Sequence, residues 1–445
     1  MATGGGFAEL FVENTEFNVM LMVNGELERS TSALVHGVGL RVFDGHNAVY
    51  TYSNDTSQDS LIKLAKATAG AVSSGEPPRL RELQRSHVQN CHEVTLLPSG
   101  ATKADVVRLL RQAHEASSES TQITQTNNSY GDTVQDIIII NSDGLWVEDR
   151  RVRTRAMISA VASSGNEKQT GSFSPGSSCG FELMERLDMP LLGRESAEIA
   201  LRMLGAGFAP SGEMPVVIEN GFGGVIFHEA CGHSLEATAV AKGASTFAGK
   251  LGQRIAAECV TAIDDATLAN EWGSLNIDDE GGRTQQNLLI ENGILKSYLV
   301  DRLNGMKMGL PSTGSGRRES YKFAPTSRMN NTYIAAGAST PGEIIASTEY
   351  GFYARKMGGG QVIPATGEFN FAVVEGYMIR NGKIAEPVRG ATLIGKGHEV
   401  LMNIDMVGNN LAMEQGMCGS ISGNVPTNVG QPTIRVSKLT VGGRT

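Results

Sequence analysis

A chain of 445 residues with a net charge of −9, 40% hydrophobic and 19% charged residues, has the make-up of a soluble globular protein long enough for two or three cores. The negative balance excludes nucleic acid or an anionic membrane as the main partner, because both are polyanions, and no apolar run approaches the ~20 residues that span a bilayer. Five scattered cysteines, Cys91, Cys179, Cys231, Cys259 and Cys418, form no disulfide framework, and the opening MATGGGFAEL lacks the charged start and apolar core of a secretory signal, so a reducing cytoplasm is the expected compartment.

In chain order, the short apolar runs Phe7 to Glu13 and Phe17 to Val23 lead into Asn24-Gly25, and Val38 to Phe43 leads through Asp44-Gly45 into Ala48 to Ser53. Both dipeptides favour tight hairpins, which predicts antiparallel sheet. The period then changes. Ser57 to Val72 and Lys103 to Ala116 place apolar residues at helical spacing and predict two amphipathic helices. Ser74 to Pro78, the polar stretch up to His92, and Ser117 to Thr133 read as exposed connections, the last with room for an edge strand. Asp136 to Asn141 and Leu145 to Ala162 flank Ser142-Asp143-Gly144 and predict a long hairpin; Ser172 to Cys179 reads as a loop, and Ser196 to Leu204 starts a helix.

The fold class that follows is α+β. An N-terminal domain of antiparallel sheet with helices covers residues 1–190, and a strand-rich domain covers 191–445. In the second half, Pro215 to Glu219, Cys259 to Asp264, Gln286 to Ile290, Ile294 to Val300, Thr332 to Ala335, Gly367 to Glu375, Gly376 to Ile379, Ala391 to Ile394 and Thr433 to Leu439 read as strands, with turns at Asn292-Gly293 and Asn381-Gly382. A large curved sheet or partial barrel is expected there.

Into this sheet is set the stretch GFGGVIFHEACGHSLEA, Gly221 to Ala237. A histidine followed at once by glutamate, with a second histidine about a turn later, is the usual way for a helix to hold Zn²⁺ beside a general base. The familiar spacing between the histidines is four residues, whereas His228 and His233 are five apart. On a regular helix such positions lie roughly 140° apart, since each residue turns about 100°. The helix must therefore distort, through a π-type turn or by unwinding at Gly232. Cys231, between the histidines, reads as a small packed residue, and the acidic Asp278-Asp279-Glu280 as a turn, since it lacks the spaced oxygens of a calcium loop.

Together, HEACGHSLEA (228–237), IDDATLANEWGSLNIDDEGGRTQQNLLIENGILKSYLVDRLNGMKMGLPSTGSGRRESY (263–321), NNTYI (330–334) and MCGSISGNVPTNVGQPTIRV (417–436) resemble the TldD/PmbA family of metallopeptidases, in its metal-bearing TldD branch. The resemblance implies that His228, His233 and Cys418 bind one zinc per catalytic chain and that Glu229 is the general base. Two imidazoles and a thiolate would leave a fourth tetrahedral position for the water that attacks a peptide carbonyl. Cys418 is expected in a glycine-rich loop. Arg317, Arg318 and Tyr321, in GSGRRESY, are candidates for gripping substrate or a developing oxyanion, against the alternatives of a structural ion pair or a core tyrosine. The resemblance further implies extended or unfolded peptide as substrate, and a homodimer or a heterodimer with a metal-free homologous chain. Two other readings stay open: a maturation protease dedicated to one modified peptide or antitoxin, and a non-catalytic peptide-binding subunit.

Overall fold

Asn24 and Gly25 take φ of 49° and 82°, Asn292 and Gly293 48° and 80°, and Asn381 and Gly382 52° and 71°. Each Asn-Gly pair thus adopts the two left-handed conformations that a tight hairpin needs. The computed structural model describes residues 5–72, 81–363 and 366–444; the expected connection Ser74 to Pro78 lies outside them.

The N-terminal sheet is built on very long strands. Phe7–Val23 runs as one strand, paired antiparallel with Glu26–Asp44 on one side and with Ile123–Asn141 on the other. Asn47–Ser53 and Leu145–Ser164 extend the sheet outward. The helices Gln58–Gly70 and Lys103–Ser117 form where expected, the first capped by the Ser57 side chain and the second by a Thr102/Asp105 capping box.

The polar stretch expected to be an exposed connection is corrected in its larger part, because Ile123–Asn141 lies at the centre of the sheet. Several inward positions in its first half are polar: Thr126, Asn128 and Asp132 are all buried. They are tolerated because they are bonded. The Asn128 amide donates to the Leu110 carbonyl at the end of the second helix, and Asp132 accepts from Asn18. Ser172 to Cys179, expected as a loop, contributes the ends of two short edge strands, Glu167–Phe173 and Gly176–Ser177. The predicted helix at Ser196 is longer, Met189–Leu204, starting on an Asp188 cap. It packs on Lys103–Ser117, Leu145–Ser164 and Glu167–Phe173, so its contacts extend the N-terminal unit past residue 190 to Leu204.

The C-terminal half forms a partial barrel and an adjoining sheet. Gly212–Ile218, Ile434–Gly442, Thr392–Lys396, Glu368–Arg380 and Tyr350–Ile363 pair in that order, and the last returns to pair with the first. Beside this ring the second sheet runs Ile294–Leu295, Gln286–Glu291, Ala262–Asp265, Asn331–Ile334, Gly423–Gln431 and Ala412–Ser420. One apolar core fills the space between them, and Val225, Ile226 and Phe227 sink into it.

The two halves are locked by buried charge. Glu9 accepts from Arg41 at 2.7 Å and from Arg318 at 2.6 Å, Arg41 also reaches Glu280 at 2.7 Å, and Arg151 meets Asp279 at 2.6 Å. Burial works against the Glu9 carboxylate, but the two guanidiniums outweigh it and hold its pKa below the usual value. The acidic turn 278–280 is thus a turn, and also the C-terminal side of this lock. Glu9→Gln removes the charge shared by two buried guanidiniums, leaving Arg41 with Glu280 alone and Arg318 with no carboxylate partner among the described residues, and is expected to cost about 3–5 kcal/mol, measured by denaturant unfolding. A loss below about 1 kcal/mol would show that the cluster does not hold the halves together.

Candidate metal centre

Residues 228–232 form a π-turn, in which the His233 amide donates to the His228 carbonyl five residues back. The extra residue between the histidines is absorbed there, so both rings return to one face, as the spacing requires. The rings meet edge to face with centroids 5.2 Å apart. Two glycines make the geometry possible. A Cβ on Gly224 would stand 2.5 Å from the Gly430 carbonyl oxygen, so only glycine lets the start of the helix lie against the strand Gly423–Gln431. A Cβ on Gly232 would stand 2.1 Å from the Met329 sulfur. Gly232→Ala is expected to destabilise the fold by about 1–3 kcal/mol through overpacking at the turn. In thermal melts the Gly232→Ala/Met329→Ala pair should lose less than the sum of the single changes, because the clash is shared; strict additivity would refute the contact.

The third candidate ligand arrives on a strand rather than the expected loop. Cys418 lies in Ala412–Ser420, paired with Val425 of Gly423–Gln431 in a tight hairpin. Alternation along the strand turns Cys418 inward. Its Sγ stands 3.2 Å from His228 Nε2 and 3.3 Å from His233 Nε2, and the three donor atoms lie within 4.8 Å of one another. Around tetrahedral zinc with bonds of 2.0–2.3 Å, sulfur and nitrogen stand about 3.5 Å apart, so the three donors already sit close to that spacing. Their chemistry fits as well. Burial opposes ionisation of Cys418, yet His228 and His233 bring its thiol down to about 3, which keeps it a thiolate at neutral pH.

Glu229 sits beside the three candidate ligands, its Oε2 3.6 Å from His233 Nε2 and its side chain 28% exposed. It is within reach of both the centre and the solvent. Cys231 is fully buried among apolar residues, and burial pushes its thiol up, so it is a packed residue as expected.

Two further residues had not been read from the sequence. Glu236 faces His233 Nδ1 at 3.2 Å, fixing which ring nitrogen turns toward the centre. Burial works against a charged His233 ring, but Glu236 and the Cys418 thiolate raise its pKa well above the ordinary imidazole value. Arg328, fully buried, donates to the carbonyls of Cys418 at 2.5 Å and Gly423 at 2.9 Å, with its Nε 3.8 Å from Glu236. It ties the hairpin to the helix. The only signal for Glu236 was its place three residues after His233; Arg328 left none.

Arg317, Arg318 and Tyr321 are not brought to the three ligands. Arg318 is buried against Glu9 and over the Phe11 ring, 4.3 Å from its centroid, and Tyr321 packs with Phe11, Ile137 and Ile139. Their contacts are those of a structural ion pair and a core tyrosine. Arg317 is also buried and donates to the Met329 carbonyl, but it lines a cleft between the two halves.

The fold and the centre define a metallopeptidase. The chain belongs to the PmbA/TldA metallopeptidase family: the models for its domain 1, central domain and C-terminal domain match residues 8–72, 97–204 and 211–443. It is 35% identical to the metalloprotease TldD homolog of Buchnera aphidicola subsp. Acyrthosiphon pisum, covering 98% of this chain and 92% of that one. It is also 35% identical to the TldD homolog of Haemophilus influenzae, over 98% and 93%. Among solved structures it resembles a proposed modulator of a DNA gyrase from Thermotoga maritima, with TM-score 0.82, 22% identity and coverage of 98% and 96%. TldE from Thermococcus kodakarensis gives TM-score 0.78, 17% identity and coverage of 98% and 97%.

Proposed function

We propose that the chain is a zinc-dependent peptidase that hydrolyses extended or unfolded peptides, with His228, His233 and Cys418 as ligands and Glu229 as general base. The observation that carries this is the convergence of two imidazoles and one thiolate on a single point with a part-exposed carboxylate beside them. Soft sulfur with imidazole favours zinc over magnesium or calcium, and three protein ligands leave a fourth position open. Zinc held there supplies a Lewis acid that lowers the pKa of water to about 7.

The chain's own residues do the rest. The two imidazoles hold Cys418 as a thiolate, so the proton that a bound cation displaces leaves from the His233 ring rather than from the sulfur. Glu236 holds the His233 ring in place, and Arg328 holds the Cys418 carbonyl. Glu229 takes the proton from the attacking water and returns it to the leaving amine, which its partial exposure allows. A cytoplasmic setting, and assembly as a homodimer or with a metal-free homologous chain, belong to the same reading.

The test is metal analysis joined to cleavage of an unfolded protein. About one zinc per chain is expected, with activity lost on chelation and restored by Zn²⁺. Full cleavage by metal-stripped protein would overturn the reading.

A further inference from the structure

Between the N-terminal sheet and the hairpin that carries Cys418 lies a cleft of about 580 Å³ whose walls include Arg151, Arg153, Arg155, Arg317 and Arg318. This is a concentration of cations in a chain of net charge −9. The five are not equivalent. Arg151 is paired with Asp149 and Asp279, and Arg318 with Glu9. Among the described residues, no carboxylate comes within ion-pairing distance of Arg153, Arg155 or Arg317.

Arg153, 7% exposed, donates to the carbonyls of Trp272 and Ser274, and Arg317, 2% exposed, to the carbonyl of Met329 while its Nε finds no partner. Arg155 is exposed and lies 5.8 Å from the centroid of the Trp272 ring. Carbonyl acceptors satisfy N–H groups without cancelling charge, and a buried uncancelled charge is costly to keep. Burial first, and neighbouring guanidiniums with it, hold Arg153 down to about 9 and Arg317 to about 10, although Asp279, beyond pairing distance of either, pulls both the other way. The wall carboxylates are engaged elsewhere: Glu13 accepts from the Tyr321 amide, Glu319 from the Asn424 amide, Asp132 from the Asn18 amide, and Asp279 pairs with Arg151. Another large hollow, about 620 Å³ on the barrel, shows the contrast, since its Arg380 and Arg435 are both paired.

We propose that this cleft anchors a carboxylate of the peptide substrate through Arg153, Arg155 and Arg317. The inference rests on the peptidase reading and adds to it a preference in substrate. A planar guanidinium matches a carboxylate oxygen for oxygen, and the anion would supply the charge that the protein withholds. The cleft also abuts the metal centre. Met417 lines it, while the next residue, Cys418, faces the histidines from the opposite side of the strand. A chain anchored in the cleft must pass round the hairpin to reach Glu229 on its other face. A path of at least about 10 Å, the spacing of packed sheet layers, takes about three residues at about 3.3 Å each. Cleavage is therefore expected at least about three residues from the anchored carboxylate, whose two sources are the peptide's own C-terminus and an Asp or Glu side chain.

Three fluorogenic peptides of one extended sequence distinguish these sources: a free C-terminal acid without acidic side chains, its amide, and the amide carrying one Glu. With the zinc-loaded full-length protein, the amide is expected to raise KM at least about tenfold over the acid, kcat changing little. Restoration by Glu assigns a side-chain carboxylate as sufficient; its failure assigns the C-terminus. Because Arg155 is exposed, Arg155→Glu should fold, and it should erase the difference between acid and amide. Equal KM for all three peptides, or an unchanged preference in Arg155→Glu, would overturn the proposal, as would a change in oligomeric state with the preference intact. Binding of the same peptides to Glu229→Gln protein, followed by anisotropy, reads the carboxylate preference without turnover, so loss of the peptidase reading is seen separately.

Discussion

Cys418→Ala is expected to fold, to bind zinc at least about 100-fold more weakly than the parent and to lose measurable peptidase activity, since removal even of an outer partner of a ligand costs 10–100-fold. The sulfur is the one donor that the helix does not supply, and without it two imidazoles remain on a π-turn with nothing opposite them. The surrounding strand should survive, because its ladder to Gly423–Gln431 is made by backbone groups. Cys231→Ala is the matched control. That thiol is packed in the apolar core, so the change should cost some stability and leave zinc bound. Zinc content and competition with a chromogenic chelator measure both. If Cys418→Ala held zinc as tightly as the parent, or if Cys231→Ala alone released it, the ligand set would be wrong.

Glu229→Gln carries the second large effect. The amide keeps the size of the side chain and cannot take a proton, so kcat should fall by about 10²–10⁴ while KM and zinc content stay near the parent values. The expectation follows from position. Glu229 adjoins the first ligand and stands 3.6 Å from the ring of the second, yet part of its side chain meets solvent. Cleavage of an unfolded protein at near the parental rate would remove Glu229 from the chemistry and leave the carboxylate without a role in the site.

Much of this site could be read before the fold was seen, because it is local. The pair His228/His233 declares itself by adjacency to Glu229, and a spacing of five forces a distorted turn on elementary helical geometry. The Asn-Gly turns were legible for the same reason, since each is decided by two residues. Non-local features were not. The first part of the strand, Ile123 to Thr133, reads as a connection because inward positions there carry Thr, Asn and Asp, and what makes them acceptable, such as the Leu110 carbonyl above Asn128, lies on another element. Arg318 and Tyr321 have the residue types of a binding site, and the fold spends them on Glu9 and on a small apolar cluster. Arg328 was invisible because its partners, the carbonyls of Cys418 and Gly423, are backbone groups some 90 residues away.

The hairpin that delivers Cys418 has a consequence for when the protein becomes dangerous to its surroundings. His228 and Cys418 are 190 residues apart. At about 5–20 residues per second of synthesis, the histidines wait about 10–40 s for the thiolate. The hairpin that presents it is held by pairing of Gly423–Gln431 with Asn331–Ile334, so it takes shape only after that strand too has been made. A ribosome-bound chain, or one truncated before residue 418, carries the helix and the base without a complete metal cage. On the proposed ligand set, hydrolysis is thereby deferred until the strand Ala412–Ser420 has been made, and a copy that stops short of it has no activity to release.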